Sequence, residues 1–216
     1  MAPPRDPLLE NPHGGPEDRD ASTTGEKIVL YIFVGLFTGL MLLEVFIEVS
    51  PSRMASIFFL FFWMPLTIFH EAGHAMVARW VGWRVDGVQL GFGRVWRIIR
   101  IRGIRVEVRS WPIVGMVLIT PSSVRGARLK NALIYAAGPG IELIAAALVA
   151  AMVGWDTVTG PSTSYGLAAA QAFCLAAVTG AILNLLPISS NPNVVTDGMG
   201  ILMSPFLTQT HFETSM

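Results

Sequence analysis

Residues 57–80 read IFFLFFWMPLTIFHEAGHAMVARW, and this stretch decides the fold class because it carries ionisable side chains within an apolar run. The run is long enough to cross a bilayer, which takes about 20 residues as a helix. On that helix His70 and His74 are four residues apart, so they share one face and can reach a single zinc ion. Glu71 projects beside them, where it could accept a proton from a water molecule. Ionisable groups at membrane depth are functional candidates.

The composition places the whole chain in the membrane class. Of its 216 residues, 52% are hydrophobic and only 14% are charged, whereas soluble domains carry roughly 25% charged residues. The formal net charge is zero, so charge as a whole indicates no acidic partner. The single cysteine, Cys174, excludes an internal disulfide.

The apolar segments predict an all-α polytopic membrane protein with about four transmembrane helices. The runs that approach or exceed the required length are 28–49, 54–80, 131–154 and 165–188. Residues 1–27 combine prolines, glycines and charges with few large apolar side chains, so we expect a disordered cytosolic tail. A membrane-embedded core is expected over 28–200 and a short C-terminal tail over 201–216.

Basic residues indicate how the chain is oriented. Ten of the fifteen Lys and Arg residues lie between 81 and 130, three precede Ile28, Arg79 ends the second run, and Arg53 remains for the other side. Positive residues favour the cytoplasm. We therefore expect a multi-pass protein of the cell membrane whose N-terminus and active-site end are cytosolic.

The basic segment also predicts a membrane-associated β-hairpin on the cytosolic side, over about 86–118. Residues 101–109 alternate apolar and polar, and 95–101 form the matching strand, with a turn at Arg102-Gly103. The hairpin could simply lie on anionic headgroups. It could also offer an exposed sheet edge that captures an unwound substrate strand. Nucleic-acid binding is not expected, because arginines facing lipid serve the membrane equally well.

Two carboxylates compete to be the third metal ligand, since a catalytic zinc usually takes three protein ligands and a water. Asp197 lies just beyond the last apolar run, at about the depth of His74. Glu142 is eleven residues into the third run, on the order of 16 Å deep. Depth favours Asp197. Glu142 could instead bind substrate, act as an alternative ligand, or be a buried carboxyl satisfied by a neighbouring helix.

Several motifs together resemble those of the site-2 protease family of intramembrane zinc metalloproteases. The resemblance covers about 57–200, most of the chain expected to be ordered. The matching segments are HEAGH at 70–74, Ala78-Arg79 with Gly82, GFG at 91–93, WPIVG at 111–115, AGP at 137–139, NLLP at 184–187 and Asp197-Gly198.

This resemblance implies a three-helix catalytic core that cleaves transmembrane substrates. It implies Zn²⁺ held by His70, His74 and Asp197, with Glu71 as the catalytic residue. Asn184 is then expected to bind substrate, a role in which Glu142 could join it. We also expect residues 138–140, Gly-Pro-Gly, to break the third helix and shape a path for substrate or water.

The function favoured by these observations is intramembrane zinc-dependent endopeptidase activity. Its expected partners are a transmembrane protein or peptide substrate and the lipid bilayer, with regulation left to a separate membrane partner. The main alternative is a proteolytically inactive membrane scaffold of the same fold that binds a partner. It is motivated by the nine residues between Pro187 and Asp197. A membrane zinc hydrolase of non-peptide substrates is a further alternative.

Overall fold

The computed structural model describes residues 49–216 except 192–193, and seven isolated helical positions between 32 and 43. It divides into two units, Met1–Glu48 and Val49–Met216. The tail expected over 1–27 lies outside the described residues. So does the span expected over 28–49, apart from those isolated positions.

Within the described residues, three helices are long and apolar enough to cross a membrane. They correspond to the predicted spans at 54–80, 131–154 and 165–188. Their bounds are Pro51–Trp80 (α1), Ala127–Val153 (α2) and Tyr165–Leu185 (α4), with a short helix Trp155–Thr159 (α3) between the last two. Four spans are predicted from the sequence, and three of them are present among the residues described.

Local sequence accounts for where these helices begin. Helix α1 has Ser50 as its N-cap and Pro51 in its first turn, where the missing amide proton of proline costs nothing. Helix α4 begins after Ser164, whose side chain accepts a hydrogen bond from Leu167 N.

Helix α2 continues through Pro139. The expected break at 138–140 is therefore wrong, because a buried proline within a packed bundle can be accommodated when neighbouring helices hold the chain.

Small residues let the three long helices pack closely. A Cβ added at Gly73 of α1 would lie 2.6 Å from the backbone oxygen of Ala137 in α2. Leu66 packs in one core cluster with Ala146 and Cys174. Large apolar side chains such as Phe61 and Leu148 are exposed instead, at 66% and 60%. Small residues inside and large apolar ones outside are the arrangement typical of membrane bundles.

A long β-hairpin connects α1 to α2. Strand Arg84–Ile101 (β1) pairs antiparallel with Ile104–Thr120 (β2). Arg102 and Gly103 both have positive φ, at 51° and 85°, as the two central residues of a type I′ hairpin turn require. The predicted turn and pairing are confirmed, and the hairpin is slightly longer than the expected 86–118.

Both strands bend, which gives the hairpin two connected parts. The tip pairs Val95–Ile101 with Ile104–Arg109, and the base pairs Arg84–Leu90 with Gly115–Thr120. Residues 87–90 also pair with 105–108, so the two parts lie side by side in one sheet. Gly91 enables the bend, since it has a φ of 93° and its Cα approaches Trp111 so closely that a Cβ would lie 2.8 Å from the Trp111 carbonyl carbon. On the side of residues 115–120 away from β1, no further strand is paired among the described residues.

The segment after α4 is folded rather than a simple tail. It contains strands Ser189–Asn191 (β3) and Val194–Val195 (β4), helix Asp197–Met203 (α5), the 3-10 turn Ser204–Phe206 and helix Gln209–Thr214 (α6). Phe212 is 3% exposed and packs with Ala78, Trp83 and Ile134. The short tail expected over 201–216 thus contributes to the core through Phe212.

Candidate metal centre

Helix α1 presents His70 and His74 to the interior of the bundle. They lie one turn apart on the same face, and their Nε2 atoms are 3.0 Å from each other. Their exposed fractions are only 6% and 7%. Two imidazoles this close and this buried would be costly to keep without a shared partner.

Asp197 reaches the same point from the start of α5. Its Oδ2 lies 2.9 Å from His70 Nε2 and its Oδ1 lies 3.3 Å from His74 Nε2. Burial by itself would raise the pKa of the Asp197 carboxyl, but the two imidazoles outweigh this and the pKa lies below its ordinary value. The ligand atoms of these three residues all lie within 4.8 Å of one another, a group that could hold a metal ion.

The two ends of the nine-residue segment between Pro187 and Asp197 lie close together. Thr196 N donates to Ile188 O at 3.1 Å, and the Thr196 hydroxyl accepts from Ile188 N at 3.1 Å. The same hydroxyl also caps α5, accepting from Met199 N. Gly198 then packs against the Leu185 backbone, where a Cβ would lie 3.0 Å from the Leu185 Cα. The insertion therefore does not carry Asp197 away from the histidines.

Each histidine has a contact at its second ring nitrogen. His74 Nδ1 lies 2.6 Å from the backbone oxygen of Ile134 in α2, which accepts a hydrogen bond when Nδ1 carries the proton. His70 Nδ1 lies 3.1 Å from Glu142 Oε2. Partners of this kind orient metal-binding histidines and leave the other nitrogen free for the metal.

The geometry fits a metal ion in two further respects. Asp197 Oδ2 is buried with no hydrogen bond of normal geometry in the described structure, despite its proximity to His70. Gly138 of α2 faces both imidazoles, and a Cβ there would lie 2.6 Å from His70 Nε2. The absent side chain leaves room at the point where the ligand atoms converge. Two imidazoles and a carboxylate are a donor set that suits Zn²⁺.

Glu71 lies beside the histidines and beneath the hairpin. It is 5% exposed, and β2 passes over it at Gly115, where a Cβ would lie 2.6 Å from the Glu71 carboxyl carbon. The Trp63 indole nitrogen donates to Ile113 O at 3.0 Å and so ties this part of β2 to α1. Any side chain at position 115 would displace the carboxylate.

A cavity of about 600 Å³ opens beside the centre and is lined by α1, α2, α4, α5, α6 and β2. Glu71, both histidines and Asp197 reach it, as does Asn184 of α4, which is half-buried. Along β2 the wall includes Val114 and Gly115. Such a concave, largely apolar space with a few converging polar groups is typical of a ligand site.

The structure brings most of the predicted site residues together, although their roles stay predictions. Asn184 is in the cavity wall rather than at the metal ligands. Glu142 contacts His70 from the side opposite Asp197. His70 lies one helical turn from His74 toward the middle of α1 and is the histidine that Glu142 contacts.

Other contributors were missed from the sequence. The Ile134 carbonyl has no side-chain signature, and nothing in the sequence indicates that a backbone oxygen will face a histidine. Tyr135 also lines the cavity and packs against α5, where a Cβ at Gly200 would lie 2.6 Å from its ring. His211, set in a polar stretch, reaches the cavity wall as well.

These features define a class of protein: an integral membrane protein with a buried three-ligand site for a metal ion and an acidic residue beside it. Residues 58–179, more than half of the chain, match the model of peptidase family M50. The chain belongs to this family, the site-2 protease family, whose members are membrane zinc metallopeptidases. The resemblance noted in the sequence is thereby confirmed. Comparison with curated proteins gave no match.

Proposed function

We propose that this chain is an intramembrane zinc metalloendopeptidase that hydrolyses peptide bonds within or near transmembrane segments of membrane-protein substrates. One observation carries the proposal: the His70, His74 and Asp197 ligand atoms converge in the interior of three apolar helices, with Glu71 beside them and a cavity in front. A site enclosed by apolar membrane helices is within reach of a membrane-embedded segment, whereas a soluble peptide would remain in the aqueous phase.

His70, His74 and Asp197 would hold the zinc ion, which supplies Lewis-acid polarisation of the scissile carbonyl and of the attacking water. Glu71 accepts one proton as the water oxygen bonds to the carbonyl carbon. It then delivers a proton to the amine nitrogen as the carbon–nitrogen bond breaks. Its position suits this role, because Glu71 lines the cavity beside the histidines and β2 passes close to its carboxylate at Gly115.

The substrate must arrive extended, because a helix engages its own carbonyls in hydrogen bonds. The part of β2 that includes Val114 and Gly115 borders the cavity, and residues 115–120 pair with β1 on one side only among the described residues. An extended substrate could add to this edge as a strand. Its backbone would then run past Glu71, and the Asn184 amide, which also lines the cavity, would be available to hydrogen-bond it.

The expected orientation follows from charge and aromatic residues at one end of the bundle. Trp80 at the end of α1 and Trp96 on the hairpin are 82% and 79% exposed, as suits rings in the headgroup region. The side chains of Arg84 and Arg105 are also exposed, at 67% and 56%. We propose that this end is cytosolic, in the cell membrane, and that the hairpin lies on anionic lipid.

Zinc content and cleavage should be measured together on the full chain in detergent, with a quenched peptide spanning a transmembrane sequence as substrate. The wild type is expected to bind one zinc and cleave the peptide. Glu71→Gln should retain zinc and lose cleavage, because it keeps the shape but cannot accept a proton. His70→Ala should lose both.

Cys174→Ala is the matched control, since it alters a buried residue of the bundle away from the cavity lining. It should bind zinc and cleave as the wild type does. Cleavage by Glu71→Gln above the level of His70→Ala would contradict the assigned base. A folded wild-type chain without zinc would instead favour the inactive scaffold.

A further inference from the structure

Glu142 is a buried acidic group that the proposed hydrolysis does not use. It lies in the middle of α2 and is 3% exposed. Placing a carboxylate in an apolar interior is unfavourable unless a partner offsets the lost hydration. The structure must therefore supply a reason for its presence.

His70 is that partner. Glu142 Oε2 lies 3.1 Å from His70 Nδ1, and neither atom has a hydrogen bond of normal geometry to another described group. The last torsion of a glutamate side chain is broad, so a small rotation of the carboxylate aligns the two atoms at this distance. Nδ1–H of His70 then donates to Glu142.

Glu142 contacts the His70 ring at the nitrogen that points away from the converging ligand atoms, so it is not placed as a metal ligand. Asp197 meets His70 at Nε2, while Glu142 meets it at Nδ1. Among the described residues, the group whose ligand atoms converge is limited to His70, His74 and Asp197. The His70 imidazole thus has a carboxylate at each nitrogen: Asp197, a candidate metal ligand, at Nε2, and Glu142 at Nδ1.

Helix α4 holds the Glu142 carboxylate from behind. A Cβ added at Gly180 would lie 3.1 Å from Glu142 Oε1 and 3.6 Å from Oε2. Glycine at this position therefore allows α4 to approach until it limits where the carboxylate can go. On its other sides the Glu142 side chain contacts His70 and borders the cavity.

We propose that Glu142 is a positioning residue: it accepts a hydrogen bond from His70 Nδ1–H and thereby holds the imidazole with Nε2 directed at the metal. This assignment rests on the proposed function and adds a role that the ligand set alone does not specify. It differs from the substrate-binding role expected for Glu142, which also lines the cavity. His74 receives the equivalent support from the Ile134 carbonyl, so the two histidines are oriented by different kinds of acceptor.

The test compares metal binding by the full chain in detergent for the wild type and the Glu142→Ala, Glu142→Gln and Cys174→Ala variants. Zinc affinity is measured by competition with a chromophoric chelator, and the visible spectrum of the cobalt-substituted protein reports the ligand geometry. Loss of an orienting partner typically costs about 10–100-fold in metal affinity. We expect such a loss and an altered cobalt spectrum in Glu142→Ala.

Glu142→Gln should recover most of the affinity and the wild-type spectrum, because its amide oxygen can still accept from Nδ1–H. Cys174→Ala should match the wild type in both measurements. Gly180→Ala, which presses on the carboxylate without removing it, should shift the cobalt spectrum in the direction of Glu142→Ala.

Two results would overturn the assignment while the zinc site stands. Unchanged affinity and spectrum in Glu142→Ala, even with lower thermal stability, would make Glu142 merely structural. Complete metal loss in both Glu142 variants would make it a ligand. A folded wild-type chain that binds no zinc would fail the proposed function itself, and the positioning role with it.

Discussion

Replacing Gly138 with alanine should expel the metal without unfolding the protein. Gly138 lies on α2 with its Cα facing the His70 and His74 imidazoles, and a Cβ there would lie 2.6 Å from His70 Nε2 and 2.7 Å from His70 Cε1. Ordinary van der Waals contact begins at 3.4 Å. The methyl group would thus occupy the space in which the zinc ligands converge.

The size of the effect follows from these distances. His70 Nε2 would have to retreat by about 0.8 Å to reach ordinary contact with the new methyl group. Zinc–ligand distances tolerate about 0.2 Å, so the ligand set cannot remain complete. We expect zinc affinity to fall at least about 100-fold, or roughly 2.8 kcal/mol. Alanine is better than glycine in a helix by about 1 kcal/mol, which works against unfolding.

Gly140→Ala is the matched control, because it is the same substitution two residues along the same helix. A Cβ at Gly140 would meet nothing within 4 Å. Zinc affinity by chelator competition and melting temperature of the metal-free protein should be measured for both variants. We expect only Gly138→Ala to lose zinc, and neither to lose helical content by circular dichroism. Equal zinc affinity in the two variants would refute the argument that position 138 must be open.

Two other substitutions probe the neighbours of the metal. Gly115→Ala should lower kcat about 100-fold while zinc content stays at one per chain. A Cβ at this position would lie 2.6 Å from the Glu71 carboxyl carbon, and displacing a catalytic group by about 1 Å lowers the rate by that factor. Equal losses of zinc and turnover would contradict this prediction. Thr196→Val should lower the free energy of unfolding by about 1 kcal/mol and weaken zinc binding, since its hydroxyl joins Ile188 to Met199. Chemical denaturation and chelator competition check this second prediction, and a variant with wild-type zinc affinity would show that the loop does not position Asp197.

Local sequence was sufficient for features that depend on neighbouring residues. The spacing of His70 and His74 places them on one face wherever the segment is helical, since helix geometry repeats every 3.6 residues. The Arg102-Gly103 dipeptide predicts the turn because few residues tolerate positive φ in succession. Three of the predicted spans appear among the described residues for a similar reason, as length and hydropathy alone select them.

The break expected at 138–140 shows where local rules fail. Gly and Pro disfavour a helix in isolation, but Pro139 is fully buried between neighbouring helices and α2 continues through it. Sequence composition reports the intrinsic preference of the segment. It contains no information on the packing that overrides this preference.

By itself, then, the sequence determined the membrane class, the two histidines on one helix face, the acidic residue beside them and the hairpin turn. Only the tertiary structure decided that Asp197 reaches the histidines across a nine-residue insertion, and that Glu142 meets His70 rather than the converging ligand atoms. The reason is physical. Contacts within a helix or turn are set by backbone geometry. Contacts between segments depend instead on close approach at Gly138, Gly180 and Gly198, and a glycine gives no sequence signal of which segment will pack against it.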